Sequence, residues 1–108
     1  MEININCDLG EKSVHHSNRN DPDLLAIVNS ASVACGYHAG DDQTMNEVVQ
    51  ISKKNGVSIG AHPSFKDLEN FGRKRMNLSK NEIEKLIIDQ YEILQKIAEN
   101  HGEKVTHI

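Results

Sequence analysis

The chain has 108 residues, with 12 Lys and Arg against 16 Asp and Glu and a formal charge of −4 at pH 7. That length fits one domain and falls short of a complete eight-fold (β/α) barrel, which needs roughly 200 residues or more. The acidic balance speaks against a nucleic-acid binder, whose footprint is a dense basic face, and no apolar run approaches the roughly 18 residues of a membrane-spanning helix.

Hydrophobic residues make up 37% and aromatics 4%, with no Trp, so any core rests on Ile, Leu, Val and Ala. The first strand is expected over residues 3–7. Met1 leads into it almost at once, which leaves no room for a secretory signal and makes the cytoplasm the expected location. A long irregular stretch, 8–20, follows. It contains His15-His16, an adjacent pair in a loop to which no chemistry is assigned. The first helix is expected at Asp21-Pro22, an N-cap acid with Pro at the first helical position, and carries Leu24, Leu25, Ile27 and Val28.

A second strand is expected over 32–35. The second helix starts near Asp41 or Asp42, presents Met45, Val48 and Val49 on one face, and stops at Lys53-Lys54-Asn55-Gly56. Basic residues in a last turn followed by Gly are a C-terminal signal. The third strand is expected over 57–61, with a second long irregular stretch over 62–77. Ser79 and Glu82 form a capping box for the third helix, whose apolar set is Ile83, Leu86, Ile87, Tyr91, Leu94, Ile97 and Ala98. A fourth strand runs from Val105 to Ile108. Cys7 and Cys35 form no CxxC pair and read as reduced, buried thiols.

Strand and helix alternate, which implies a parallel sheet with helical crossovers, either a barrel or a doubly wound sheet. Residues alternate faces along a strand. Ile3, Ile5 and Cys7 oppose Asn4, Asn6 and Asp8; Val57, Ile59 and Ala61 oppose Ser58, Gly60 and His62. A parallel strand buried on both faces reads as continuously apolar, so one face here is polar or small. A polar barrel lumen explains it; an open sheet with one solvated face is the alternative.

Asp8, His38 and His62 each follow a different strand, where barrel enzymes carry their chemistry, and His107 lies in the fourth. Asp with several His suits a divalent metal and an activated water, with Asp8, His38 and His62 as candidate ligands. It equally suits general acid–base chemistry. Gly36 and Gly40 permit positive φ in a segment leading to a helix N-terminus, where Asp41 or Asp42 serves as cap. Arg73, Lys74 and Arg75 could grip a phosphate or carboxylate, or be a solvated loop balanced by Asp67 and Glu69.

Four segments together resemble the lactam-utilisation family: Asn6-Cys7-Asp8-Leu9-Gly10-Glu11, ACGYHAGD at 34–41, GAHPSF at 60–65, and Asn70-Phe71-Gly72-Arg73. The resemblance runs from Ile3 to Ile108. It implies a fold that is the N-terminal half of a (β/α) TIM-like barrel of the glycoside hydrolase and deacetylase type. On that view residues 1–108 are one incomplete domain of four strands and three helices, cut within the fourth strand. Thr106-His107-Ile108 looks like the start of a motif that the family continues as Lys-Pro-His-Gly.

The implied activity is cleavage of 5-oxoproline to glutamate with ATP as co-substrate, alongside separate B and C subunits. Transferred to this numbering, Asp8, His38 and His62 are the expected catalytic residues, and Glu11, Asp41, Arg73 and His107 the expected substrate-binding ones. Two alternatives stay open: a metal-dependent amide or polysaccharide deacetylase-like hydrolase, and a non-catalytic binding module. The short chain is expected to be inactive alone and to self-associate through its incomplete sheet.

Overall fold

The computed structural model describes residues 2–16 and 20–108. Among them, four strands alternate with three helices: β1 (Asn6–Leu9), α1 (Asp21–Leu25), β2 (Ser30–Ala34), α2 (Asp42–Asn55), β3 (Ser58–His62), α3 (Lys80–Asn100) and β4 (Val105–His107). The two long helices begin and end where their caps dictate. Asp41 accepts a 2.8 Å bond from the Thr44 N–H at the start of α2, and Gly56 closes it in the left-handed conformation at φ 68°. Ser79 accepts the Glu82 N–H at 3.2 Å to open α3. No helix among the described residues is long and apolar enough to cross a membrane.

Two expectations at the N-terminal end are corrected. Helix α1 has five residues and stops before Ile27, which is 68% exposed. Asn20, not Asp21, stands at its cap position, without a side-chain bond to the helix. The helix is short because the next residues are claimed by the sheet: the Asn29 and Ser30 N–H groups both donate to the Ile5 carbonyl, which starts β2 at Ser30. Strand β1 lies later than expected, over Asn6–Leu9, and Ile3 and Ile5 precede it, 75% and 49% exposed. Only β2 pairs with β1 among the described residues, so these isoleucines have no neighbouring element to bury against.

All pairings are parallel and the strand order is β1-β2-β3-β4. A doubly wound sheet reverses its strand order at a switch point; this sheet never does. Crossovers between parallel strands are right-handed as a rule, so consecutive order places the helices on one face, as in a (β/α) barrel. Helix α2 packs on β2 and β3, α3 on β3 and β4, and the helices on each other. The face beneath them is the core: Leu9, Ala31, Val33, Ile59, Ala61 and Val105 from the strands meet Met45, Val48, Val49, Leu94, Ile97 and Ala98.

The opposite face is the polar one anticipated from strand parity. Register aligns Asn6 with Ser30 and Ser58, and Asp8 with Ser32, Gly60 and His107. The His107 imidazole lies over Gly60, in the space that a Cβ would fill. Thr106 Oγ1 donates to the Ile59 carbonyl at 3.3 Å and lies 2.8 Å from His107 Nδ1. A hydroxyl whose proton is directed at the carbonyl accepts from Nδ1–H, which leaves His107 Nε2 as the free acceptor on the polar face.

Candidate active site

The C-terminal ends of β1, β2 and β3 lie side by side, so the loops that follow them converge. Asp8 is in β1, Glu11 just beyond it, His38 in the loop after β2, and His62 closes β3. Glu11 Oε2 stands 3.1 Å from His38 Nε2 and 4.0 Å from His62 Nε2. On its other side, His62 Nδ1 faces Asp8 Oδ1 at 3.5 Å, the outer limit of hydrogen-bond reach. The two imidazoles meet edge to face with centroids 5.0 Å apart. His62 is thus held between two carboxylates.

The cluster runs from solvent to interior. The Asp8 side chain is 52% exposed and that of His62 32%, whereas His38 is 1% exposed. Burial pushes the His38 pKa below its ordinary value; the Glu11 hydrogen bond opposes this, while the nearby His62 and Arg73 charges reinforce it. His38 is therefore a neutral imidazole that donates from Nε2 to Glu11. Its Nδ1 is buried and has no hydrogen-bond partner among the described residues.

Phe71 roofs the cluster. Its ring lies edge to face on His38, centroids 5.0 Å apart, and carries the Arg73 guanidinium 5.9 Å from its own centroid. Phe71 adopts φ 56°, the left-handed region that a bulky residue rarely occupies. Strain of this kind persists only where the surroundings impose it. The turn continues through Gly72 at φ 71°, where a Cβ would strike Ser64 and press on His38.

The loop between β3 and α3 is pinned from three sides. Gln90 of α3, fully buried, accepts the Ser64 N–H at 2.9 Å and donates to the Ser64 carbonyl at 2.8 Å. The Asp67 N–H reaches the Tyr37 carbonyl at 2.9 Å, joining this loop to the one after β2. From the first loop, His15 donates Nε2–H to the Glu69 carbonyl at 2.9 Å, and His16 meets Phe71 edge to face at 5.0 Å. The adjacent histidines, to which the sequence assigns no chemistry, thus fasten the first loop over the third. Gln90 likewise escapes a reading of the sequence. The available signal is a polar residue four positions from both Leu86 and Leu94, on the apolar stripe of α3.

The remaining expected residues are arranged around this centre. Asp41 caps α2 and its second oxygen lies 3.9 Å from Lys12 Nζ, so its carboxylate is engaged at the helix start. Arg73 and Lys74 line an open hollow of about 670 Å³ with His15, Glu69 and Asn70. Arg75 is not among its lining residues. His107 belongs to the polar face, over Gly60. Among the described residues, the three whose potential ligand atoms all fall within 4.8 Å are Glu11, His38 and His62. Asp8, expected in that set, stands instead behind His62.

Known proteins share this architecture and much of this sequence. The chain is 45% identical over its 108 residues to the 5-oxoprolinase A subunit of Staphylococcus epidermidis and 42% identical to that of Staphylococcus aureus strain Newman, spanning 43% of each relative's length. The crystal structure of a lactam utilization protein from Thermus thermophilus superposes with a TM-score of 0.92 at 34% identity, over 99% of this chain and 43% of that one. With residues 3–108 matching throughout, the chain belongs to the LamB/YcsF family.

Proposed function

We propose that this chain, itself an incomplete domain, supplies the N-terminal half of the (β/α) barrel in the A subunit of an ATP-dependent, cytoplasmic 5-oxoprolinase. Its partners are the B and C subunits, and its reaction opens the 5-oxoproline lactam to L-glutamate. The observation that carries this reading is that Asp8, Glu11, His38 and His62, drawn from three separate motifs, meet in one cluster. Relatives named as 5-oxoprolinase A subunits support it further.

A lactam amide resists water because nitrogen donates into the carbonyl. Transfer of the γ-phosphoryl group of ATP to the carbonyl oxygen releases ADP and makes the carbon electrophilic. Water activated by a general base adds to it, the C–N bond breaks as nitrogen takes a proton, and a second water hydrolyses the resulting acyl phosphate to glutamate and phosphate. Asp8 is the base in this reading: Oδ1 faces His62, and Oδ2 takes the proton. His62, backed by Glu11 and His38, is the group that polarises the reacting carbonyl. Arg73 holds the substrate carboxylate or a phosphate as a two-pronged donor, with Glu11, Asp41 and His107 shaping the binding surface.

Reconstituting the full-length protein with its B and C partners tests the assignment. His62→Ala is expected to lower 5-oxoproline-dependent ADP release by about 100-fold or more; wild-type turnover would remove His62 from the machinery. No ADP release that depends on adding this protein would remove the function itself. The pairing of two imidazoles with a carboxylate favours one second reading, a metal-dependent amide or carbohydrate hydrolase that needs no ATP. Turnover without nucleotide, abolished by EDTA, is its signature. The 108-residue chain assayed alone is expected to be inactive, as a binding module would be.

A further inference from the structure

We propose that Glu11, His38 and His62 bind a divalent first-row metal ion of the zinc class, with Asp8 as the outer partner of His62 and one coordination position open to solvent. The site deepens the reading above, since a cation there would polarise the carbonyl as asked of His62, but its evidence is geometric and independent of turnover.

Zinc binds His nitrogen at about 2.0–2.1 Å and carboxylate oxygen at about 2.0–2.2 Å, so tetrahedral donors lie roughly 3.3–3.5 Å apart. The Glu11 oxygen stands 3.1 Å from one His nitrogen and 4.0 Å from the other, and all three donors fall within 4.8 Å. Movements of several tenths of an ångström in side chains suffice to close this set around an ion. Two imidazoles and one carboxylate suit zinc and its neighbours, whereas calcium and magnesium demand oxygen ligands.

The surroundings match as well. A metal-bound His usually offers its other ring nitrogen to a carboxylate, which fixes the ring. Asp8 Oδ1 lies 3.5 Å from His62 Nδ1, on the side away from Glu11. Three protein ligands with a fourth position left to water distinguish catalytic sites from closed structural ones, and here Asp8 and His62 keep one side exposed. His38 is fully buried and holds Nε2, its ligand atom, 3.1 Å from the Glu11 carboxylate, so the inner half of the set is fixed by packing.

Zinc alone is the probe, titrated into the metal-stripped full chain and followed by calorimetry and by metal analysis after gel filtration. One equivalent per chain is expected. Glu11→Gln and His62→Ala should each weaken binding by about 10-fold or more, and Asp8→Asn by about 10–100-fold with the stoichiometry retained. His15→Ala, outside the cluster, should bind as wild type. Cobalt(II) should give the intense visible bands of a four-coordinate site, lost in His62→Ala. Circular dichroism shows whether each variant is folded, and the partly exposed Glu11 and His62 are chosen over buried His38 for that reason. A folded wild-type chain that takes up no zinc overturns the proposal, as does zinc binding unchanged in both Glu11→Gln and His62→Ala. Zinc bound as expected without 5-oxoproline-dependent turnover in the reconstituted assembly would uphold the metal site and remove the function; turnover with no metal bound would do the reverse.

Discussion

Burial controls the chemistry of single residues throughout this chain, and Cys35 shows it most directly. It is 1% exposed, its thiol donates to the Val33 carbonyl at 3.3 Å, and desolvation pushes its pKa from 9.0 up to about 11. At pH 8 about one thiol in a thousand is then ionised, and only the thiolate is nucleophilic. Cys35 is expected to resist iodoacetamide until denaturant is added, whereas half-buried Cys7 reacts in the native state. Equal native rates, read by mass spectrometry, would contradict the packing. The folded form holds its proton more tightly than the unfolded form, so this residue's contribution to stability is full below pH 9.0 and is lost as pH rises towards about 11. The two units correspond to roughly 2–3 kcal/mol, and Cys35→Ser should flatten that part of the profile. Gly60 makes a second case. Gly60→Ala would drive a methyl into the His107 ring. His107 is exposed and its ring can turn aside, so the expected cost is within about 0.5 kcal/mol, as for surface substitutions, measured by urea unfolding.

Among the secondary-structure elements, α3 does the most to hold the site. Its apolar stripe packs on β3 and β4, and the one fully buried polar side chain on it, Gln90, clamps the loop that carries Phe71 and Arg73. Gln90→Ala leaves the Ser64 N–H and carbonyl without their partner. Unsatisfied buried groups cost about 1–3 kcal/mol each. Chemical denaturation should show a loss of that order, and hydrogen exchange should show the Ser64 amide losing protection. Helix α2 tests a simpler device. Asp41→Ala removes the cap at Thr44 and should cost about 1 kcal/mol, with Asp41→Asn retaining most of the stability. An Asn that restores stability but not ligand affinity would separate capping from the substrate-binding role proposed for Asp41.

For the molecule as a whole, the decisive property is an asymmetric sheet. One face is sealed by α2 and α3, and the other presents Asn6, Asp8, Ser32 and His107. Strands β1 and β4 are each paired on one side only among the described residues, and Ile3 before β1 and Ile108 after β4 are exposed. Unpaired edges and exposed aliphatic side chains recruit further strands. Expressed as these 108 residues, the chain is expected to self-associate in sedimentation experiments. A monodisperse 12.1 kDa monomer would contradict this.

The alternation of strands and helices, the caps at Asp41 and Ser79, the polar face and the family were all legible in the residues alone. Each of these depends on local spacing or on a short run of residues. The same local signals set Asp8, Glu11, His38 and His62 at the ends of successive strands. Packing in three dimensions settled the rest: the sheet never reverses its order, α1 yields to strand pairing after Leu25, and Glu11 rather than Asp8 stands between the two imidazoles. Gln90 and the His15-His16 pair likewise acquired their places through contacts between residues far apart in the chain. Such contacts follow from how loops pack over a common rim, and periodicity along one strand or helix carries no information about them.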